Sequence, residues 1–168
     1  MAEIDKKALL AELVARLDAE LGRAQKRARD AADGATHEEN RAEGDKDMRA
    51  TEASYIARGH SGRVNELEEA LARVSTLELL AFEPGARIAV SALVELDHDS
   101  RRLHYFLVPA AGGERLSVGG AEVQTLTLQS PLGKALIGLS EGEDAELPGA
   151  GSGRAGGAAR LYEIVKVR

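Results

Sequence analysis

Cysteine and tryptophan are both absent from the 168 residues. Disulfides, thiolate metal sites and cysteine nucleophiles are thereby excluded, and nothing opposes a reducing compartment. Aromatic residues make up 3% of the chain, too few for a platform on which single-stranded bases stack, or for the aromatic-lined pocket a prolyl isomerase needs. Positive charge is also short: the formal net charge is −6, whereas a general duplex-DNA binder relies on excess lysine and arginine to neutralise phosphates. The apolar runs fall short of a membrane span, and the first residues lack the basic-then-apolar order of a signal peptide. The expectation is a soluble, cytoplasmic protein that contacts no membrane.

What is present is order of two kinds. With 43% hydrophobic residues the chain can hold one small domain plus an extended element. The first 80 residues carry a heptad pattern. Leu10, Val14, Leu17, Leu21, Ala24, Ala28 and Ala31 form one seam, and Ala50, Ala53, Ala57, His60, Val64, Leu67, Leu71 and Val74 form another. Pairing Leu10 with Leu71, Leu17 with Val64, Leu21 with His60 and Ala28 with Ala53 keeps the residue numbers adding to 81. That constant predicts two antiparallel helices with a turn near Asn40 and Arg41. Asp5 is the expected N-cap of the first helix, which runs to about Ala32. The second runs from Asp47 to about Leu80. Between them residues 33–47 form an acidic tip with Asp33, Glu38, Glu39, Glu43, Asp45 and Asp47. Its spacing does not match the calcium-hand loop. It is either a solvated turn or a source of one or two carboxylates for a magnesium ion held mainly by a partner. Arg23, Lys26 and Arg27, with Arg29, make a basic belt on the first helix, which is either a solvated face or one turned to nucleic acid.

Phe82-Glu83-Pro84-Gly85 stops the helical pattern, so residues 1–80 are expected as the hairpin, 81–86 as a linker and 87–168 as a second domain. There the period changes to short β-rich runs at Ile88–Leu96, Leu103–Val108, Val123–Leu128, Ala145–Pro148 and Leu161–Val167. They predict a small antiparallel sheet. One short helix interrupts it, with Ser130 as N-cap and Pro131 at its first position. The glycine-rich stretch from Gly149 to Ala159 lacks the order of a phosphate loop and is expected as a hairpin loop. His98 and His104 have no companion nucleophile motif. The fold class is therefore α+β: a long antiparallel coiled-coil hairpin followed by a small β domain with one short helix.

The run Thr127-Leu128-Gln129-Ser130-Pro131-Leu132-Gly133-Lys134-Ala135-Leu136-Ile137, continuing to Gly142, resembles the C-terminal signature of the Gre family of bacterial transcript-cleavage and elongation factors, the GreA and GreB type. Leu161-Tyr162-Glu163-Ile164-Val165 is similar to that family's last strand, and Gly62-Arg63-Val64-Asn65-Glu66-Leu67-Glu68 to its return helix. The resemblance implies an FKBP-like C-terminal domain that docks on RNA polymerase at the secondary channel, with Ser130, Pro131 and Leu132 as partner-binding residues. It implies a hairpin reaching the active site and the 3′ end of the nascent RNA, which the belt of Arg23, Lys26 and Arg27 would face. The factor would be a monomer, no enzyme by itself, with no cofactor of its own but a magnesium ion shared with the polymerase. The family's tip holds an aspartate and, three residues later, a glutamate ahead of a tyrosine. Anchoring on Tyr55 puts Met48 and Thr51 at those places, and anchoring on Gly44-Asp45 puts Met48 at the glutamate. Asp45 and Asp47, with Glu43 in reserve, are the candidate metal-binding carboxylates. The alternatives are a regulator that occupies the channel without cleavage, and an interaction module for another protein.

Overall fold

The computed structural model describes residues 4–39, 46–148 and 159–168, and for residues 35–39 and 46–50 only the backbone. The chain divides into two compact units, one formed by Met1–Leu13 with Arg73–Arg168 and the other by Val14–Ala72.

Helix α1 spans Lys6–Glu39 and α2 spans Lys46–Ser75. Asp5 starts α1 as expected, its Oδ1 accepting from Lys7 N at 2.9 Å and its carbonyl from Leu9 N at 3.0 Å. The helix overruns the expected end at Ala32 by seven residues, reaching Glu39. Gly34 does not stop it, since a single helical glycine costs only about 1 kcal/mol. The expected tip at 33–47 is correspondingly shortened, and Asp33 lies on α1. Six residues at most about 3.5 Å each bridge roughly 20 Å, less than half the length of a 34-residue helix at about 1.5 Å per residue. Since α2 lies beside α1, with Arg63 on Glu20, so short a bridge makes the return antiparallel.

Within the Val14–Ala72 unit, Leu17, Ala24 and Leu67 are buried, and Leu21, Ala28, Ala31, Ala53, Ala57, His60 and Val64 are half-buried. These are the expected seam positions. Arg63 meets Glu20 at 2.6 Å, Gln25 donates to Glu68 at 3.5 Å, and Gln25 and Ala28 share a groove with Ser61 and Val64. Glu20 with Arg63 lies two residues from the expected register and Gln25 with Glu68 twelve, both reached through long side chains. A heptad seam slipped by seven residues still sets apolar positions against apolar positions, so the periodicity alone does not select the register. Leu17 and Leu67 are each 3% exposed; replacing either with alanine should cost about 2 to 5 kcal/mol and lower the helical melting transition. Unchanged melting would show that neither side chain packs in the seam.

In the other unit the base of α1 departs from the expected face. Leu9 and Leu13 are fully buried, while Leu10 is half-buried, as is Val14 at the start of the hairpin unit. Glu12, between the two leucines, accepts from Ser117 N at 3.1 Å, so this part of α1 is held to the sheet and turns its leucines accordingly.

The sheet has six strands: β1 Leu93–His98, β2 Arg101–Leu107, β3 Arg115–Val118, β4 Ala121–Leu126, β5 Asp144–Leu147 and β6 Arg160–Val167. Their order is β3-β4-β2-β1-β6-β5. Four of the five ladders are antiparallel, as expected, and β2 and β4 run parallel. The hairpin of β3 and β4 is the reason: it inserts an extra strand and turns at Gly119-Gly120, both with positive φ, the backbone of a tight hairpin turn. β1 and β2 turn the same way at Asp99 and Ser100 (φ 52° and 61°). β1 begins five residues later than Ile88, because Ser91 takes φ 74° and breaks the extended run. Helix α3, Pro131–Leu136, covers one sheet face: Leu132 and Leu136 join Val94, Leu96, Leu107, Ala145, Ile164 and Val167 in the core.

Candidate functional site

The sequence points to three places, and each belongs to a different local structure. The first is the tip. Glu43 and Asp45 lie outside the described residues, and Asp47 falls in α2 where only the backbone is described. Carboxylate oxygens are hard ligands of the kind magnesium takes. Further along α2, Tyr55 is 70% exposed and Ile56 51%. The guanidinium of Arg58 lies 5.4 Å from the Tyr55 ring and donates to Ser54 Oγ at 3.1 Å.

The second is the belt. Arg23, Lys26 and Arg27 are exposed on α1, spaced three and four apart and therefore on one face. Beside them a shallow groove of about 520 Å3 opens between Gln25, Ala28 and Arg29 and, from α2, Ser61, Val64 and Asn65. Small residues leave it unfilled: Ala28 is a seam position where a coiled coil would place a larger side chain, and Ser61 borders the groove from an exposed position.

The third is the signature run. Ser130 caps α3 with φ −67° and ψ 153°, its Oγ accepting from Gly133 N at 3.0 Å and donating to Thr127 O at 2.8 Å. Pro131 follows at the first helical position, where a missing N–H costs nothing, and it is exposed. Leu132 is 9% exposed and belongs to the core. That corrects the expectation that Leu132 binds a partner: its side chain is already committed to the sheet. Ser130 is likewise occupied as a cap. The side chains this run leaves outside are Gln129, Pro131, Lys134 and Ile137, the last 42% exposed. Ile137 was not singled out from the sequence, yet an apolar residue directly after the last buried helical position could have signalled it. Gly133 has a separate role, for a Cβ built there would stand 2.0 Å from Thr127 O.

Two further clusters emerge only from the fold. Glu95, its side chain 12% exposed, meets Arg102 at 2.9 Å, Arg168 at 3.5 Å and His104 at 4.0 Å, and Arg102 also reaches Asp97 at 3.2 Å. His98 stacks on Tyr162 with centroids 4.3 Å apart, and its Nδ1–H donates to Leu161 O at 2.8 Å. Both histidines thus serve structural contacts. Burial, and then the Tyr162 hydroxyl, push the Tyr105 hydroxyl above its ordinary range. At the start of α1, Lys6 Nζ donates to Leu80 O and to Ser91 O (3.2 Å) and sits 4.8 Å from the Phe82 ring, while Ser91 Oγ accepts from Leu80 N at 2.9 Å. Burial holds this ammonium below the usual lysine range. The clasp fixes the linker, which then turns at Glu83-Pro84-Gly85-Ala86 with Ala86 N on Glu83 O at 2.9 Å and Gly85 at φ 80°, a proline-glycine type II turn. Among the described residues no three of His, Asp and Glu gather as metal ligands, and no helix is long and apolar enough to cross a membrane.

The chain is 32% identical over 133 residues to transcription elongation factor GreA of Bartonella tribocorum, covering 77% of each chain. It is 31% identical to GreA of Bartonella henselae with the same coverage. GreA of Polaromonas naphthalenivorans matches at 30% over 63% of this chain and 61% of its own length. Among solved structures, the GreA factor homolog Gfh1 of Thermus thermophilus is similar over 92% of this chain and 94% of its own, with 22% identity and a TM-score of 0.36. No family model matches the chain.

Proposed function

The chain belongs to the Gre family of transcription elongation factors, and on that premise we propose that it binds RNA polymerase at the secondary channel and carries its hairpin tip toward the active site. The observation that carries this reading is the GreA likeness over 77% of both chains. The signature run supports it, because Ser130, Pro131, Leu132 and Gly133 each have a specific place in a capped turn packed on the sheet.

In this reading the chain is no enzyme alone and stimulates hydrolysis that belongs to the polymerase. Asp45 and Asp47, with Glu43 in reserve, would hold one face of a magnesium ion shared with the polymerase. When bound, that ion lowers the cost of charge on the attacking and leaving oxygens. Arg23, Lys26 and Arg27 would attract the phosphates near the RNA 3′ end. Pro131 and Ile137 are the exposed apolar groups available for docking. The factor acts as a monomer in the cytoplasm, where its polymerase works. A second reading, occupation of the channel without cleavage, is favoured by one observation: Met48 and Thr51 stand where the Tyr55 anchor places the family's acids.

Binding is the first test. The full chain should co-sediment with core RNA polymerase at low salt, one copy per enzyme, and lose affinity as salt rises. No binding at low salt would reject both readings and leave an interaction module for another partner.

A further inference from the structure

The sheet is not paired along its whole length. β2 begins at Arg101 and β4 at Ala121, but their parallel ladder joins only Tyr105–Leu107 to Gln124–Leu126. Before that stretch the strands part, leaving a notch of about 290 Å3 bordered by Arg102, His104, Tyr105, Arg115, Glu122 and Gln124.

Which backbone groups face the notch follows from the alternation of a ladder. Leu107 donates to Ala92 O at 2.9 Å and accepts from Ser91 N at 2.8 Å, so it faces the β1 side. Val108 N donates to Leu126 O at 2.9 Å and faces the β4 side. Successive residues of a strand direct their N–H and C=O to opposite edges, so Phe106, His104 and Arg102 also face β4. On β4, Thr125 N donates to Glu114 O and Thr125 O accepts from Gly113 N, both at 2.8 Å. Thr125 therefore faces β3, and Gln124 and Glu122 face β2. Beyond the ladder this leaves the N–H of His104 and both backbone groups of Arg102 and of Glu122 turned into the notch. Among the described residues no strand pairs with them.

We infer that the notch takes an extended polypeptide segment of RNA polymerase as an added strand, with an acidic side chain of that segment against Arg115. Donors and acceptors repeating every second residue on two facing edges match another polypeptide backbone, the recognition mode of strand addition. A phosphodiester chain presents mainly anionic acceptors, and the 2′-hydroxyls of RNA do not alternate with them as the N–H and C=O groups of a strand do. Charge selects the side chain: Arg102 is held by Glu95 and Asp97, whereas exposed Arg115 has no ion pair among the described residues. The inference rests on the polymerase-binding reading and adds a contact separate from the hairpin.

Glu122→Pro removes one N–H that faces the notch and leaves the β3 ladder, which Glu122 does not serve through its N–H, unbroken. Glu122→Gln removes the charge and keeps the N–H. The affinity of each full chain for core RNA polymerase is measured at low salt, and backbone amide exchange of His104 and Glu122 is followed in the wild-type complex. Expected are about a tenfold loss for the proline variant, the scale of one backbone hydrogen bond, wild-type binding for the glutamine variant, weakened binding for Arg115→Gln, and slowed exchange of both amides. Proline-variant binding equal to wild type, or unchanged exchange of both amides in the complex, overturns the inference while the family reading stands. Should the proline variant fail to fold, the exchange measurement on wild type decides. A wild-type chain that does not bind polymerase rejects the reading beneath it, a result seen before any variant is made.

Discussion

Gly133→Ala is expected to destabilise the sheet unit by about 3 kcal/mol or more, beyond the usual cost of overpacking. An ideal Cβ at this position lies 2.0 Å from Thr127 O, 2.9 Å from Thr127 C and 3.0 Å from Ser130 Oγ. The first two are backbone atoms and cannot rotate away. Relief would require α3 to lift, which breaks the Ser130 cap, worth about 1 kcal/mol, and withdraws Leu132 and Leu136 from the core. Thr127 is also confined from the other side, since a Cβ on Gly112 would come within 2.9 Å of its Cγ2. Denaturant unfolding followed by sheet-sensitive circular dichroism measures the effect. A midpoint equal to wild type would mean that α3 shifts at little cost. The phase in which Ser130→Ala alone loses about 1 kcal/mol separates the cap from the close approach.

The second large effect concerns catalysis by the complex. Changing Asp45→Asn and Asp47→Asn together should reduce stimulated cleavage in a stalled, backtracked polymerase complex by at least about 100-fold, because an amide keeps the shape but not the charge that favours a divalent ion. Binding to the polymerase should stay within about twofold, as the sheet unit and the remainder of the hairpin are untouched. Cleavage by the double variant at the wild-type rate would remove both residues from the mechanism and turn attention to Glu43. Wild type that binds without stimulating cleavage would establish the channel-occupying reading.

How far the fold could be read in advance depended on which interactions were local. The cap at Asp5, the proline-glycine turn after Phe82, and Ser130 with Pro131 at α3 are encoded within a few residues of themselves, and they stand where the chain predicts them. The seam positions on α2 were equally legible, since Ala53, Ala57, His60, Val64 and Leu67 follow from period alone. Register was not, because a slip of one heptad satisfies the same pattern. Leu9 and Leu13 were displaced by one position from the expected face because the sheet, remote in sequence, also claims that side of α1. β3 escaped because four residues, Arg115 to Val118, alternate too briefly to stand out, although Gly119-Gly120 beyond them is a hairpin signal. The parallel pairing of β2 with β4 is a matter of topology, which local patterns do not encode. For the site, Leu132 illustrates the general difficulty: a residue in a recognisable motif can owe its place there to packing, and the face offered to a partner is made of its neighbours.

The position of β6 between β1 and β5 sets an order of events during synthesis. Chains are made from the N-terminus, and units fold as their residues emerge. The Val14–Ala72 unit is complete once Ala72 has been added, whereas the base of α1 waits for Leu80, Ser91 and Ser117. β1 and β5 have no ladder with each other and wait for Arg160–Val167 to bridge them. Until then β1 carries an open edge, a template for pairing with a neighbouring chain. The nascent protein therefore passes through an interval in which the helical arm is finished and the sheet is vulnerable, and slow translation between β5 and β6 would lengthen that interval.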